Sequence, residues 1–262
     1  MLYLSPAITV YFCVLAALLG ACVGSFLNCM AWRIVHGEPI TKGRSHCDAC
    51  GHVLSAADLV PVVSFLAHRG KCRYCGEKLS KRHLWGEILS ALTFVALLLK
   101  YDISLQTLEY LLFASLLLGC AFADLEGYMI PDRFILAGII FRIPFFFLLP
   151  DWKGQVLDAA IGGFAIGGGL LLIVLVYEKI RKTEAMGGGD LKLLFLTGLY
   201  LGWQRNLLCL FFACILGIAV GLLTAKKREE KLFPWGPSIA AGAIISALCG
   251  SELISAYLGL FG

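Results

Sequence analysis

The sequence predicts an all-α polytopic membrane protein of about eight transmembrane helices with one small hydrophilic, zinc-ribbon-like insertion. Three observations lead there. Of the 262 residues, 59% are hydrophobic and 15% charged, with a mean hydropathy of +0.83, whereas a water-soluble chain of this length carries roughly 25% charged residues to cover its core. The apolar residues gather in long runs between short polar breaks, and the basic residues crowd into alternate breaks.

The first run, 7–31, has no basic residue before it and is followed by many similar runs, so it reads as a retained span and not a cleaved signal peptide. Seven more follow at 86–99, 105–123, 134–149, 157–177, 190–203, 207–224 and 237–260. A helix over 86–99 rises only about 21 Å against a hydrocarbon core of about 30 Å, so the shorter spans are expected to extend into their loops or to sit inside a bundle. Threading these spans places loops 32–85, 178–189 and 225–236, and the turn between the third and fourth spans, on one side. With Lys192, those segments hold 18 of the 22 Lys and Arg. The positive-inside rule then puts that side in the cytoplasm and both chain ends outside. The expected division is a first transmembrane helix over 1–32, a cytoplasmic tetracysteine domain over 33–85 and a transmembrane domain over 86–262.

The hydrophilic insertion carries Cys47-x-x-Cys50 and Cys72-x-x-Cys75, with 21 residues between the pairs. Two such knuckles bring four thiolates onto one tetrahedral ion, although the gap lies just beyond the common 15–20 window. Gly51 and Gly76 follow the second Cys of each pair, where a tight turn around a metal needs positive φ. Four Cys ligands close the coordination sphere, which points to structural Zn2+. Two disulfides are disfavoured in a reducing cytoplasm, and four idle thiols are the other alternative. The remaining cysteines lie in apolar runs and read as small buried hydrophobes.

Two acids stand at span ends facing the same side. Asp124 closes the third span, and Asp190 opens the sixth within Met186-Gly187-Gly188-Gly189-Asp190-Leu191-Lys192. Carboxyl groups that share a proton can activate water and protonate a scissile amide, which is peptide hydrolysis without a metal. Gly187 and Gly189, lacking side chains, would let an extended substrate lie alongside. Alone, the Gly-x-Gly-Asp phrase equally suits a glycine turn with an Asp N-cap.

Several ordered motifs together resemble the type IV prepilin peptidase family. They are Gly24-Ser25-Phe26-Leu27-Asn28 with Arg33, the two cysteine knuckles preceded by Arg44-Ser45 and Arg69-Gly70-Lys71, then Ser80-x-Arg82 and Glu87, Asp124 with Pro131-Asp132, Met186 to Leu193, and Pro234-Trp235-Gly236-Pro237. The chain departs from the family pattern at Val60-Pro61-Val62-Val63-Ser64-Phe65 and at Arg82-His83-Leu84. The resemblance implies that Asp124 and Asp190 form a proteolytic dyad. It implies substrates that are type IV prepilins or pseudopilins, serving pili, secretion or DNA uptake, cut after a glycine that ends a short basic leader. It also implies methylation of the new N-terminal amine from S-adenosylmethionine, with Glu87 a candidate for that step; a helix N-terminus alone would also favour an acid there.

Lys192 reads as a substrate or dyad contact or as an ordinary basic residue at a span end. Arg142, inside the fourth span, should face the bundle or an interface. Gly163 with Gly167, and Gly217 with Gly221, have the spacing of close helix packing. The run Lys226 to Lys231 suits anionic headgroups of the lipid bilayer. No nucleic-acid motif is present, so no nucleic-acid partner is expected. The alternatives are an ion- or proton-coupled transporter, whose acids belong near the midplane, and a zinc-bound scaffold without catalysis.

Overall fold

The computed structural model describes residues 5–40, 43–47, 49–183, 186–224 and 233–260; the run Lys226 to Lys231 lies outside the described residues. Among these, the helices are α1 (Pro6–Val35), α2 (Val63–Ala67), α3 (Lys81–Tyr101), α4 (Leu105–Gly127), α5 (Asp132–Leu148), α6 (Trp152–Ile161), α7 (Gly169–Arg181), α8 (Gly188–Thr224) and α9 (Gly236–Leu258). A π-helical segment, Gly162–Gly168, joins α6 to α7, and a 3-10 turn covers Ala56–Leu59. The expected all-α fold is present. Six helical runs among the described residues are long and apolar enough to cross a bilayer: α1, α3, α4, α6 through α7, α8 and α9. Their outward faces carry large apolar side chains, with Ile180 73% and Leu223 79% exposed, as lipid contact requires.

The chain divides into two compact units, 1–103 and 104–262. In the first, α1 and α3 pack antiparallel. A Cβ at Gly20 would stand 2.7 Å from the Ser90 carbonyl oxygen, and one at Gly24 would stand 3.0 Å from that of Gly86. This pair of glycines four apart, not singled out as a pair in the sequence, lets the two backbones come close together. α3 begins five residues before the expected start because the Ser80 hydroxyl accepts from the Arg82 N–H at 3.3 Å and caps a polar first turn. Hydropathy does not register such a turn.

In the second unit, α8 is not one straight rod. Gly202 has φ 73° and ψ 178°, a region essentially confined to glycine. The Asn206 side chain donates to the Leu194 carbonyl at 3.2 Å and accepts from the Thr197 hydroxyl at 2.7 Å, yet a continuous helix would hold residues 194 and 206 about 18 Å apart. The chain therefore doubles back at Gly202, and the expected spans 190–203 and 207–224 are antiparallel halves. α9 runs antiparallel to the second half, with the Cys209 thiol on the Ile239 carbonyl and the Trp235 indole on Ala213. Glycine also governs the seat of the π segment: a Cβ at Gly162 would lie 2.7 Å from Gly198 oxygen, and one at Gly167 would lie 3.2 Å from Phe195 Cα. Gly217 packs on Trp235, and among the described residues a Cβ at Gly221 would meet nothing within 4 Å.

α5 has 17 residues and contains Pro144. Its Arg142 faces inward, ion-paired with buried Glu109 of α4, donating to the Leu199 carbonyl at 2.9 Å, and lying 4.2 Å over the Phe146 ring. These contacts bind the end of the bundle remote from Asp124. Three helical runs of this unit head toward the Asp124 end (α4, α6 through α7, and 203–224), and three head away from it (α5, 188–201 and α9).

Candidate active site and metal centre

Asp124 sits in the last turn of α4 and is 5% exposed. The helix stops just beyond it at Tyr128, whose left-handed backbone (φ 52°) closes an N–H bond of 2.9 Å to the Asp124 carbonyl. Asp190 lies in the first turn of α8, half-buried, its own N–H bonded to Gly187 oxygen at 3.1 Å. Two contacts bring the start of α8 beside the end of α4. A Cβ at Gly189 would stand 3.0 Å from Ile130 Cβ, so glycine lets the first turn lie on the α4–α5 linker. Lys192 also pairs with Asp132 at 2.7 Å. The two acids, 66 positions apart in sequence, consequently lie within electrostatic reach of each other. At Gly187, a Cβ would come within 3.2 Å of Asp190 Oδ2, so its absence leaves that edge of the carboxyl uncrowded.

The start of α9 supplies a feature that the sequence reading lacked. The Gly236 N–H donates to Asp124 Oδ2 at 2.8 Å, across 112 positions. Its only trace in the sequence is the Pro-x-Gly-Pro phrase.

In the first unit, the four cysteine sulfurs lie within 4.8 Å of one another, with Cys47 and Cys72 buried and Cys50 and Cys75 exposed. The two knuckles are near copies. In the first, the Cys47 N–H bonds to His52 oxygen at 3.0 Å and Gly51 N–H to Cys47 oxygen at 2.8 Å; in the second, Cys72 bonds to Glu77 at 2.8 Å and Gly76 to Cys72 at 3.0 Å. Both glycines take the expected positive φ, 70° and 76°. Sulfurs about 2.3 Å from a tetrahedral ion stand roughly 3.8 Å apart, and Cys47 and Cys75 sulfurs are 3.9 Å apart. The backbone N–H groups of Cys75 and Tyr74 lower the pKa of the Cys72 thiol, favouring its thiolate, while desolvation and the crowding of the sulfurs raise that of Cys75, so that a cation is needed for all four to ionise together. The cluster fits a structural metal.

Beside it is a cavity of about 210 Å³ lined by Cys29, Arg33, Asp58, Phe65, His68 and Glu87, among others. Glu87 stands beyond the first turn of α3, so a helix N-terminus does not account for it. It is buried, and accepts the Val62 N–H at 2.7 Å. Val62 occupies a γ-turn of positive φ (62°, ψ −50°), closed by Val63 N–H on Pro61 oxygen at 2.6 Å, a strained conformation for a β-branched residue. Asp58, also absent from the sequence reading, accepts from the Ser55 hydroxyl (2.6 Å), the Ser55 N–H (3.0 Å) and the Tyr74 hydroxyl (2.9 Å). Those bonds, with Arg73 nearby, hold its carboxyl at about 2. The Ser-x-x-Asp spacing of a capping box was its signal.

Comparison with known proteins agrees with this layout. Residues 18–101 match the bacterial peptidase A24 N-terminal domain, and 111–222 match the type IV leader peptidase family. The chain is 32% identical over 248 residues to a prepilin leader peptidase/N-methyltransferase of Bacillus subtilis, covering 91% of this chain and 95% of that one. It is 32% identical over 279 residues to one of Pseudomonas putida, covering 96% of each. With one of Myxococcus xanthus the identity is 34% over 214 residues, 81% of this chain and 63% of the relative. No solved structure matches.

Proposed function

The chain belongs to the type IV leader peptidase family, and on that premise we propose that Asp124 and Asp190 are the catalytic dyad of a membrane aspartic endopeptidase that removes prepilin leaders. The observation that carries the reading is the meeting of the α4 end and the α8 start through Gly189 on Ile130 and Lys192 on Asp132, which brings two poorly solvated carboxyl groups within electrostatic reach of each other beside a glycine-rich approach. Charge on either acid opposes charge on the other, so the working site holds one proton between the two. The ionised acid takes a proton from water as its oxygen bonds to the scissile carbonyl carbon, and the protonated acid gives its proton to the carbonyl oxygen. Collapse breaks the C–N bond, a proton passes to the departing amine, and the dyad returns to its shared-proton state.

The six long runs, the reversal at Gly202 and the alternating helix directions support eight crossings, counting α5 and both halves of α8. The distribution of Lys and Arg supports a cytoplasmic tetracysteine loop and acid site, with both termini outside. A basic leader would then stay in the cytoplasm while the apolar helix behind it remains in the bilayer. Cleavage falls at the boundary between them. The metal is Zn2+ in a ribbon-like domain over 33–85, and the acids belong to a catalytic domain over 86–262.

Methylation of the new N-terminus is the second activity, in line with the N-methyltransferase names of the relatives. S-adenosylmethionine, when bound, supplies an electrophilic methyl group. The cavity beside the tetracysteine cluster offers groups of the right kind, Asp58 and Glu87 carboxylates for hydroxyl and cationic groups and Phe65 for a base, while its volume of about 210 Å³ takes only part of such a molecule. Glu87 holds the strained Val62 turn on that wall, which makes it a residue that positions the cavity. An ion- or proton-coupled transporter gains no support from these relatives, and the acids stand at one end of the bundle.

The test is cleavage of a model prepilin in membranes, read by mass spectrometry. Asp124→Asn and Asp190→Asn should each lower cleavage by at least about 10²-fold to 10⁴-fold at normal protein level, while a pre-cleaved substrate is still methylated. Cleavage at the normal rate by either variant would sink the dyad.

A further inference from the structure

The Pro-x-Gly-Pro phrase has a task that the geometry makes visible. Gly236 is the first residue of α9, and the N–H groups of a helix's first turn have no partner within the helix. Here all are accounted for. Those of Ser238 and Ile239 bond to Trp235 oxygen at 3.0 and 3.1 Å, Pro237 has none, and that of Gly236 is given to Asp124 Oδ2 at 2.8 Å in a buried setting. Glycine is required for this approach. A Cβ at Gly236 would stand 2.8 Å from Asp124 Oδ2 and 3.1 Å from Asp124 Cβ. The turn is itself anchored, with the Trp235 indole donating to Ala213 oxygen at 3.1 Å and packing on Gly217.

Asp190 has no such partner: among the described residues, none donates to its carboxyl. The groups facing Asp124 are Asp190 from α8, the Gly236 N–H from α9 and the Cys120 thiol one turn back on α4. Lys192, the nearby cation on α8, is paired with Asp132. An N–H pointed at one carboxylate oxygen, backed by the positive end of a helix, favours negative charge on that carboxylate.

Resting on the dyad reading above, we propose that Gly236 is a positioning residue that divides the labour of the two acids. Asp124 is the ionised general base and Asp190 carries the proton. Asp124, held through Oδ2 by α9, takes the proton of the attacking water on its other oxygen as the new C–O bond forms. Asp190 protonates the carbonyl oxygen. On collapse the C–N bond breaks, Asp124 passes its proton to the leaving amine, and a proton of the gem-diol returns to Asp190, so the charges at the end match those at the start. The start of α9 thus fixes which oxygen is the base before substrate arrives.

The experiment uses the full chain in membranes and compares Gly236→Ala with the wild type, with Asp124→Asn and Asp190→Asn alongside. Gly236→Ala should cleave roughly tenfold or more slowly with KM little changed, and the acidic limb of its rate profile should move up by roughly one to two pH units, the worth of a hydrogen bond to a charged group. Methylation of a pre-cleaved substrate should persist at the normal rate, which reports an intact first unit, and thermal unfolding in detergent close to that of the wild type reports an intact bundle. Trp235→Phe, which loosens the same turn without adding a Cβ beside Asp124, should move the limb in the same direction by less, and it carries the test if the alanine variant does not accumulate. An unmoved acidic limb, whether the rate is normal or merely reduced, would overturn the division of labour. Cleavage by the Asn variants would instead overturn the dyad itself.

Discussion

The two units solve the same problem, holding polar groups in a fixed arrangement, by opposite routes. In the first unit the arrangement is local: each cysteine knuckle closes within a few residues, and the loop between α1 and α3 has little core of its own. Neither the 3-10 turn nor α2 contributes a buried residue. Order must come from a cross-link. In the second unit the arrangement depends on pairings distant in sequence, Asp124 with Gly236, Lys192 with Asp132, and Arg142 with Glu109. A packed bundle supplies the order, and loops contribute little.

Removing the cross-link is therefore the most disruptive change that leaves the bundle intact. Replacing Cys47 and Cys72 by Ser should abolish bound metal in the purified protein and expose the 43–80 region to protease, since the binding energy of a structural ion is also the folding energy of its loop. Methylation should fall further than cleavage, because Asp124 and Asp190, the proposed dyad, belong to the other unit. Unchanged metal content would count against the site, and equal loss of both activities would mean that the units depend on each other more than their separate packing suggests.

The bundle has its own cross-link in buried charge. Arg142→Met leaves Glu109, 3% exposed, without its partner. Stranding one member of a buried pair typically costs about 3–5 kcal/mol, whereas replacing both by apolar residues is often neutral. Thermal unfolding in detergent should show a large drop for Arg142→Met and substantial recovery in the Arg142→Met, Glu109→Leu double variant. Equal instability of both would show that the arginine's bond to the Leu199 carbonyl, and not its charge partner, is what matters.

The same contrast explains what could be read from the sequence. The knuckles are legible because four ligands and two glycines at fixed spacing describe their own geometry. The two acids were legible as span ends on one side, and the family resemblance joined them. Long apolar runs betrayed most helices, but the polar first turn of α3 did not register in hydropathy. Gly236 was legible only as part of a family motif without a task, and Asp58 not at all, for different reasons. Backbone donors such as the Gly236 N–H carry no side-chain signature, and the partner of this one lies 112 positions away. Asp58 resembled an ordinary surface acid until folding wrapped Ser55 and Tyr74 around it. Arg142 was recognisable as a buried charge, yet nothing in the pattern named Glu109.

Lys192 gives the finest discrimination, because its two sequence readings predict different magnitudes. It stands two residues after Asp190, where a cation could grip substrate or bias the dyad. In the structure its Nζ is 2.7 Å from Asp132, with side chains 53% and 74% exposed. A pair so exposed is screened by water and contributes at most about 1 kcal/mol, with its charge directed to the α5 start and away from the acids. Lys192→Met should therefore change cleavage by less than about fivefold and leave the pH profile in place, an effect of the size expected from a loosened surface pair. A much larger loss confined to KM would show that the lysine leaves Asp132 to meet the leader, and the glycine approach beside Asp190 would then have a charged wall.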